Sequence, residues 1–114
     1  MAKMDTEIQL NQNAHIHADN FRNGTYSPTE LLDKTLDYLE KLDTQLNAYI
    51  SVMHSEATLA AEKASSTIDS GEATPLTGIP IAVKDLLYTK DWKTTAASKM
   101  LSTYVPVEDS TVVA

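Results

Sequence analysis

Lys84 and Asp85 close the apolar run Gly78-Ile79-Pro80-Ile81-Ala82-Val83, and they are the pair in this chain best placed for chemistry. A lysine held at the edge of an apolar environment has its charged form penalised, so its neutral amine can take up a proton. On residue type alone, a lysine ending a strand more often extends into water than acts as a base, and both readings stand at this point. Thr94, Thr95 and Ser98 carry hydroxyls, but residues of this kind act mostly as helix caps. The three histidines, His15, His17 and His54, make no metal motif: residues two apart on a helix face different ways, and no further ligand completes the set. The absence of cysteine excludes disulfides, thiolate metal sites and a cysteine nucleophile. No Gly-x-Ser-x-Gly elbow presents a serine. Gly24, Gly71 and Gly78 are too scattered to cradle a phosphate.

The element that must position Lys84 is the run itself. An uninterrupted apolar stretch over 79–84 reads as a strand buried on both faces, with Pro80 tolerated at its start, and this gives the chain an α/β expectation. Ligands in open α/β sheets gather at the carboxyl ends of strands, where Lys84 and Asp85 would lie. Ahead of it, Ser27-Pro28-Thr29-Glu30 carries a capping box with proline at the first helical position. The spacing predicts a helix over 28–43, with Leu31, Leu32, Thr35, Leu36, Leu39 and Leu42 on one stripe. Residues 46–52 are β-branched and aromatic, which favours an extended segment. A second helix is expected over 55–70; its alanines predict close packing and Gly71 its stop. Beyond Asp85, Thr94 reads as the cap of about two helical turns reaching Leu101, 105–107 as extended, and 108–114 as the beginning of a helix. Residues 1–26 are polar, with Ile8, His15, Ala18 and Phe21 roughly on one helical face and Asn23-Gly24 ending it. The expected organisation is therefore a polar segment or helix over 1–26, then part of one α/β domain over 27–114.

At 114 residues the chain is no more than one small domain, and its 42% apolar content is adequate for a core. Sixteen acids against nine bases give a formal charge of −7, which argues against this chain itself gripping a phosphate backbone. No stretch has the length and apolarity of a signal peptide or a membrane span, so the expectation is a cytoplasmic protein with no membrane partner.

Leu76-Thr77-Gly78-Ile79-Pro80-Ile81-Ala82-Val83-Lys84-Asp85 resembles the amidase-signature family. Thr94-Thr95-Ala96-Ala97-Ser98-Lys99-Met100-Leu101 and Val105-Pro106-Val107-Glu108-Asp109-Ser110-Thr111-Val112-Val113 extend the likeness, as do the Ser-Pro-Thr-Glu-Leu start at Ser27 and Leu46-Asn47-Ala48-Tyr49-Ile50. It covers about 27–114, and the Thr-Thr-x-Ala-Ser-Lys-Met-Leu string points to the family's tRNA-dependent amidotransferase branch. The resemblance implies N-terminal helices plus the first strand or strands of a mixed sheet, incomplete in this chain. It makes Lys84 the lysine of a Ser–cis-Ser–Lys triad, in which the lysine takes a proton through a bridging serine and a second serine attacks the amide carbon. Neither serine-bearing, glycine-rich segment matches anything here, so the chain is expected to be the N-terminal portion of the enzyme and not a catalyst alone. The whole protein would hydrolyse glutamine and supply ammonia for converting Glu-tRNA(Gln) to Gln-tRNA(Gln). It would work with amidotransferase subunits B and C, with tRNA, ATP and Mg held by a partner and no cofactor in this chain. Two alternatives stay open: part of a general carboxamide amidase, and a non-catalytic module that binds a partner through its helices.

Overall fold

A computed structural model describes residues 7–114, so the first six residues of the expected 1–26 segment lie outside the described residues. The helices are α1 (Ala14–Arg22), α2 (Pro28–Leu46) and α3 (His54–Asp69), followed by a 3-10 turn at Lys99–Leu101. The described residues form two compact units, one ending at Pro80 and one spanning Ile81–Ala114.

In the first unit the local signals act as expected. The Ser27 hydroxyl accepts the Glu30 N–H at 3.2 Å, and the Glu30 carboxylate accepts the Ser27 N–H at 2.7 Å, so the capping box is complete. Leu31 and Leu32 are buried, and Thr35, Leu36, Leu39 and Leu42 are half-buried along the same stripe. The helix runs past residue 43 to Leu46 and stops at Asn47, whose φ of 48° is left-handed. There the Asp43 carboxylate accepts the Ala48 and Tyr49 N–H groups at 2.6 and 3.3 Å and draws the chain out of the helix. Packing against α2 buries Ala61 of α3. Helices α1 and α3 end in one geometry: Gly24 and Gly71 take φ of +69° and +79°. The next residues close the ends through Thr25 N–H to Asn20 O at 2.9 Å and Glu72 N–H to Thr67 O at 3.2 Å.

The core of this unit is Phe21, Tyr26 and Leu31, flanked by Ile8, Leu10, Ile68 and Ile79. The face expected on α1 is redrawn: His17, Ala18 and Phe21 are buried, while His15 is exposed. His17 takes the inner place because its Nδ1 lies 2.7 Å from the Tyr26 hydroxyl, which also accepts from Asn20 Nδ2 at 3.1 Å. Gly78 closes the unit against α1 and α2. A Cβ there would lie 2.7 Å from Pro28 Cγ and 3.2 Å from Phe21 Cε2.

Three expectations are corrected. No strand forms among the described residues, so the α/β expectation gives way to a helical fold; 79–84 is irregular and Ile81 is 79% exposed. A strand exists only through lateral ladder bonds to a neighbour, and these residues make none. The helix expected from Thr94 shrinks to the 3-10 turn, capped by Ser98 instead, because Ala96 and Ala97 take left-handed φ of 47° and 56°. At 108–114 a single turn forms, with Val113 and Ala114 N–H both donating to Ser110 O.

Candidate functional site

Lys84 and Asp85 lie near the start of the second unit, and the two are held very differently. The Lys84 side chain is exposed, while its carbonyl accepts the Leu87 N–H at 3.0 Å. Asp85 is half-buried and bonded through both its ends. Its carboxylate accepts the Thr95 hydroxyl and, at 2.9 Å, the Thr95 N–H, across ten residues of chain. Its carbonyl accepts the Ala96 N–H at 2.8 Å. The Thr95 hydroxyl also accepts the Ala97 N–H at 3.3 Å. The Thr95 hydroxyl, foremost, and then the Thr95 and Ala97 N–H groups hold the Asp85 carboxyl below the ordinary aspartate value, against a smaller upward push from burial.

The helix expected from Thr94 is lost at this knot. There the Asp85 carboxylate and carbonyl take the Thr95 and Ala96 N–H groups, and Ala96 and Ala97 turn left-handed, a conformation that a right-handed helix cannot continue through. Beyond it, two segments of the unit run side by side in opposite directions. Tyr88 O accepts from Ser110 N–H at 2.8 Å, the Asp109 carboxylate from Lys90 N–H at 2.6 Å, Pro106 O from Asp91 N–H at 3.1 Å, and Tyr104 O from Thr94 N–H at 3.1 Å. Pro106 and Thr94 are the buried residues here, and Tyr88 meets Tyr104 edge-on at 5.9 Å. The spacing of these bonds is uneven, so they make an irregular hairpin and not a ladder.

Of the residues with chemical capacity, the second unit brings together Asp85 and Thr95, with Ser98 N–H donating to Thr95 O at 2.8 Å, while among the described residues the Lys84 side chain makes no hydrogen bond or ion pair. The histidines belong to the first unit and stay apart. His15 is exposed, His54 Nε2 lies 3.5 Å from Glu40 Oε1, and His17 sits in the core. Burial pushes the His17 imidazole below its ordinary value, and the Leu10 backbone carbonyl opposes the shift. Among the described residues the ion pair is Arg22–Asp19, joined by His54–Glu40 when that imidazole is protonated, and neither involves Lys84. The residue that sequence reasoning missed is Thr95 as a partner of Asp85. The one signal for it was an acid directly after an apolar run, and nothing periodic links positions ten apart.

The amidase family model matches residues 30–114. The A-subunit of the glutamyl-tRNA(Gln) amidotransferase of Geobacter metallireducens is 44% identical over 96 residues, covering 84% of this chain and 20% of that protein. The protein of the same name from Coxiella burnetii is 44% identical over 92 residues, covering 81% and 19%. That from Desulfosudis oleivorans is 42% identical over 87 residues, covering 76% and 18%. The chain spans about a fifth of the length of these curated relatives. No solved structure matches it.

Proposed function

The chain belongs to the amidase family, and from that membership we propose that it contributes the lysine base, Lys84, to the glutamine-hydrolysing component of an amidotransferase. The observation that carries this reading is the identity of 42 to 44% to the A-subunits of glutamyl-tRNA(Gln) amidotransferases across most of the chain. In the proposed reaction Lys84, as the neutral amine, takes a proton through a bridging serine while a second serine attacks the glutamine amide carbon. An acyl-enzyme forms, ammonia leaves, and water then releases glutamate. Both serines would come from sequence outside these residues. The ammonia would convert Glu-tRNA(Gln) to Gln-tRNA(Gln) in a complex with subunits B and C, with ATP, Mg and tRNA held by a partner subunit. An acidic chain of charge −7 suits that division of labour, because the phosphate-binding cations are then needed elsewhere.

The test is a chimera in which residues 30–114 replace the matching segment of the Geobacter metallireducens protein, combined with that protein's own amidotransferase partners. We expect glutamine-dependent formation of Gln-tRNA(Gln). A chimera that hydrolyses simple carboxamides but forms no Gln-tRNA(Gln) would favour a general amidase, and a folded chimera inactive on both would contradict the proposal.

A further inference from the structure

We propose that Asp85 is a positioning residue for Lys84: tied to Thr95 and Ala96, it clamps the chain directly after the lysine and keeps its own carboxylate occupied away from the lysine amine. This inference rests on the reading of Lys84 as a base. An exposed lysine on a flexible stem carries considerable rotamer freedom, so the backbone that bears it must be fixed by something else. Here the carbonyls of both Lys84 and Asp85 are engaged, by Leu87 N–H at 3.0 Å and Ala96 N–H at 2.8 Å.

The clamp also answers a chemical difficulty. A carboxylate on the residue next to a base is an available ion-pair partner, and such a pair favours the charged amine, the form that cannot accept a proton. The Asp85 oxygens are instead taken by the Thr95 hydroxyl and the Thr95 N–H, and among the described residues Lys84 and Asp85 form no ion pair. The left-handed φ of 47° and 56° at Ala96 and Ala97 lies directly after the bonded N–H groups, and Ala97 N–H turns back to the Thr95 hydroxyl at 3.3 Å.

The experiment uses the full 114-residue chain and its Thr95→Val, Thr95→Ser and Asp85→Asn variants. Carboxyl NMR follows Asp85, amide exchange follows Thr95 and Ala96, and trace acetylation by acetic anhydride at pH 8 reads Lys84 against Lys34 and Lys41. In the parent, Asp85 titrates below 3.8 and both amides are protected. Thr95→Val, which keeps the N–H donors, raises Asp85 toward its ordinary value, weakens the protection at Thr95, and slows Lys84 acetylation by about two- to fivefold as the carboxylate oxygen freed of the hydroxyl pairs with it. Thr95→Ser restores all three, and Asp85→Asn weakens the protection at Thr95 without slowing acetylation, a split that a merely structural role would not give. An ordinary Asp85 titration in the parent, or unchanged Lys84 acetylation in Thr95→Val with the parent pattern elsewhere in its spectrum, overturns the proposal. If Thr95→Val loses its fold, Thr95→Ser and Asp85→Asn decide by the same readouts. None of these measurements needs catalysis, so a clamp found alongside an inactive chimera sinks the lysine-base reading and not the clamp.

Discussion

The two units are stabilised by different means. Among the described residues, Ala18, Phe21, Tyr26, Leu31, Leu32 and Ala61 are buried together in the first, whose helices are also closed by a capping box and glycine ends. The second buries Thr94 and Pro106, leaves Met100, Val107 and Val112 at 93, 85 and 78% exposed, and depends on carboxylates that bind backbone N–H groups across long stretches of chain. The candidate base therefore sits where polar clamps take the place of a core. Regions with few buried apolar contacts are the ones that open most easily, which is why the Asp85 clamp matters for holding a side chain in place.

The largest effect that would sharpen this contrast is in the first unit. Phe21→Ala should cost about 3–5 kcal/mol in denaturant unfolding, because it empties the centre of the core. A loss under about 1 kcal/mol would mean that the first unit has no real core. Gly78→Ala should cost roughly 1–3 kcal/mol, since the residue has φ +84° and its new Cβ would strike Pro28. In the second unit Ala97→Gly should stabilise by about 0.5 kcal/mol, the relief of a left-handed alanine less the entropy that glycine adds to the unfolded chain. A helix through 94–101 would instead lose about 1 kcal/mol, so the sign alone decides between the two conformations.

Acid should separate the units by order. The folded-state value of His17 is lowered, so its contribution is complete above 6.5 and is lost as pH falls through that lower value. Asp85 is also lowered, so its contribution is complete above 3.8 and is lost only below that. Amide protection at Phe21 and Leu31 should therefore fall before protection at Thr95 and Ala96, and His17→Gln should flatten the first step. Simultaneous loss would show that the units are not independently governed.

What was legible in the sequence follows the same division. Ser27-Pro28-Thr29-Glu30, the leucine stripe of α2 and Gly71 are local signals, and each produced its element within a few residues. The 79–84 run was read as a strand from composition, yet a strand needs partners that a run cannot specify by itself. The 94–101 segment has good helical composition, yet its backbone turns left-handed at Ala96 and Ala97 beside a bond to Asp85 ten residues away. The motif around Lys84 marks it, whereas no periodicity connects Asp85 with Thr95.

The most direct test of Lys84 as the base is single-turnover glutamine hydrolysis by the chimera and its Lys84→Ala variant, with ammonia-dependent formation of Gln-tRNA(Gln) as the control for folding and assembly. A lysine base predicts a loss of at least about a thousandfold on glutamine while the ammonia-dependent reaction stays intact. Near-parental glutamine turnover in Lys84→Ala would contradict it and leave Lys84 as a surface lysine beside a clamp.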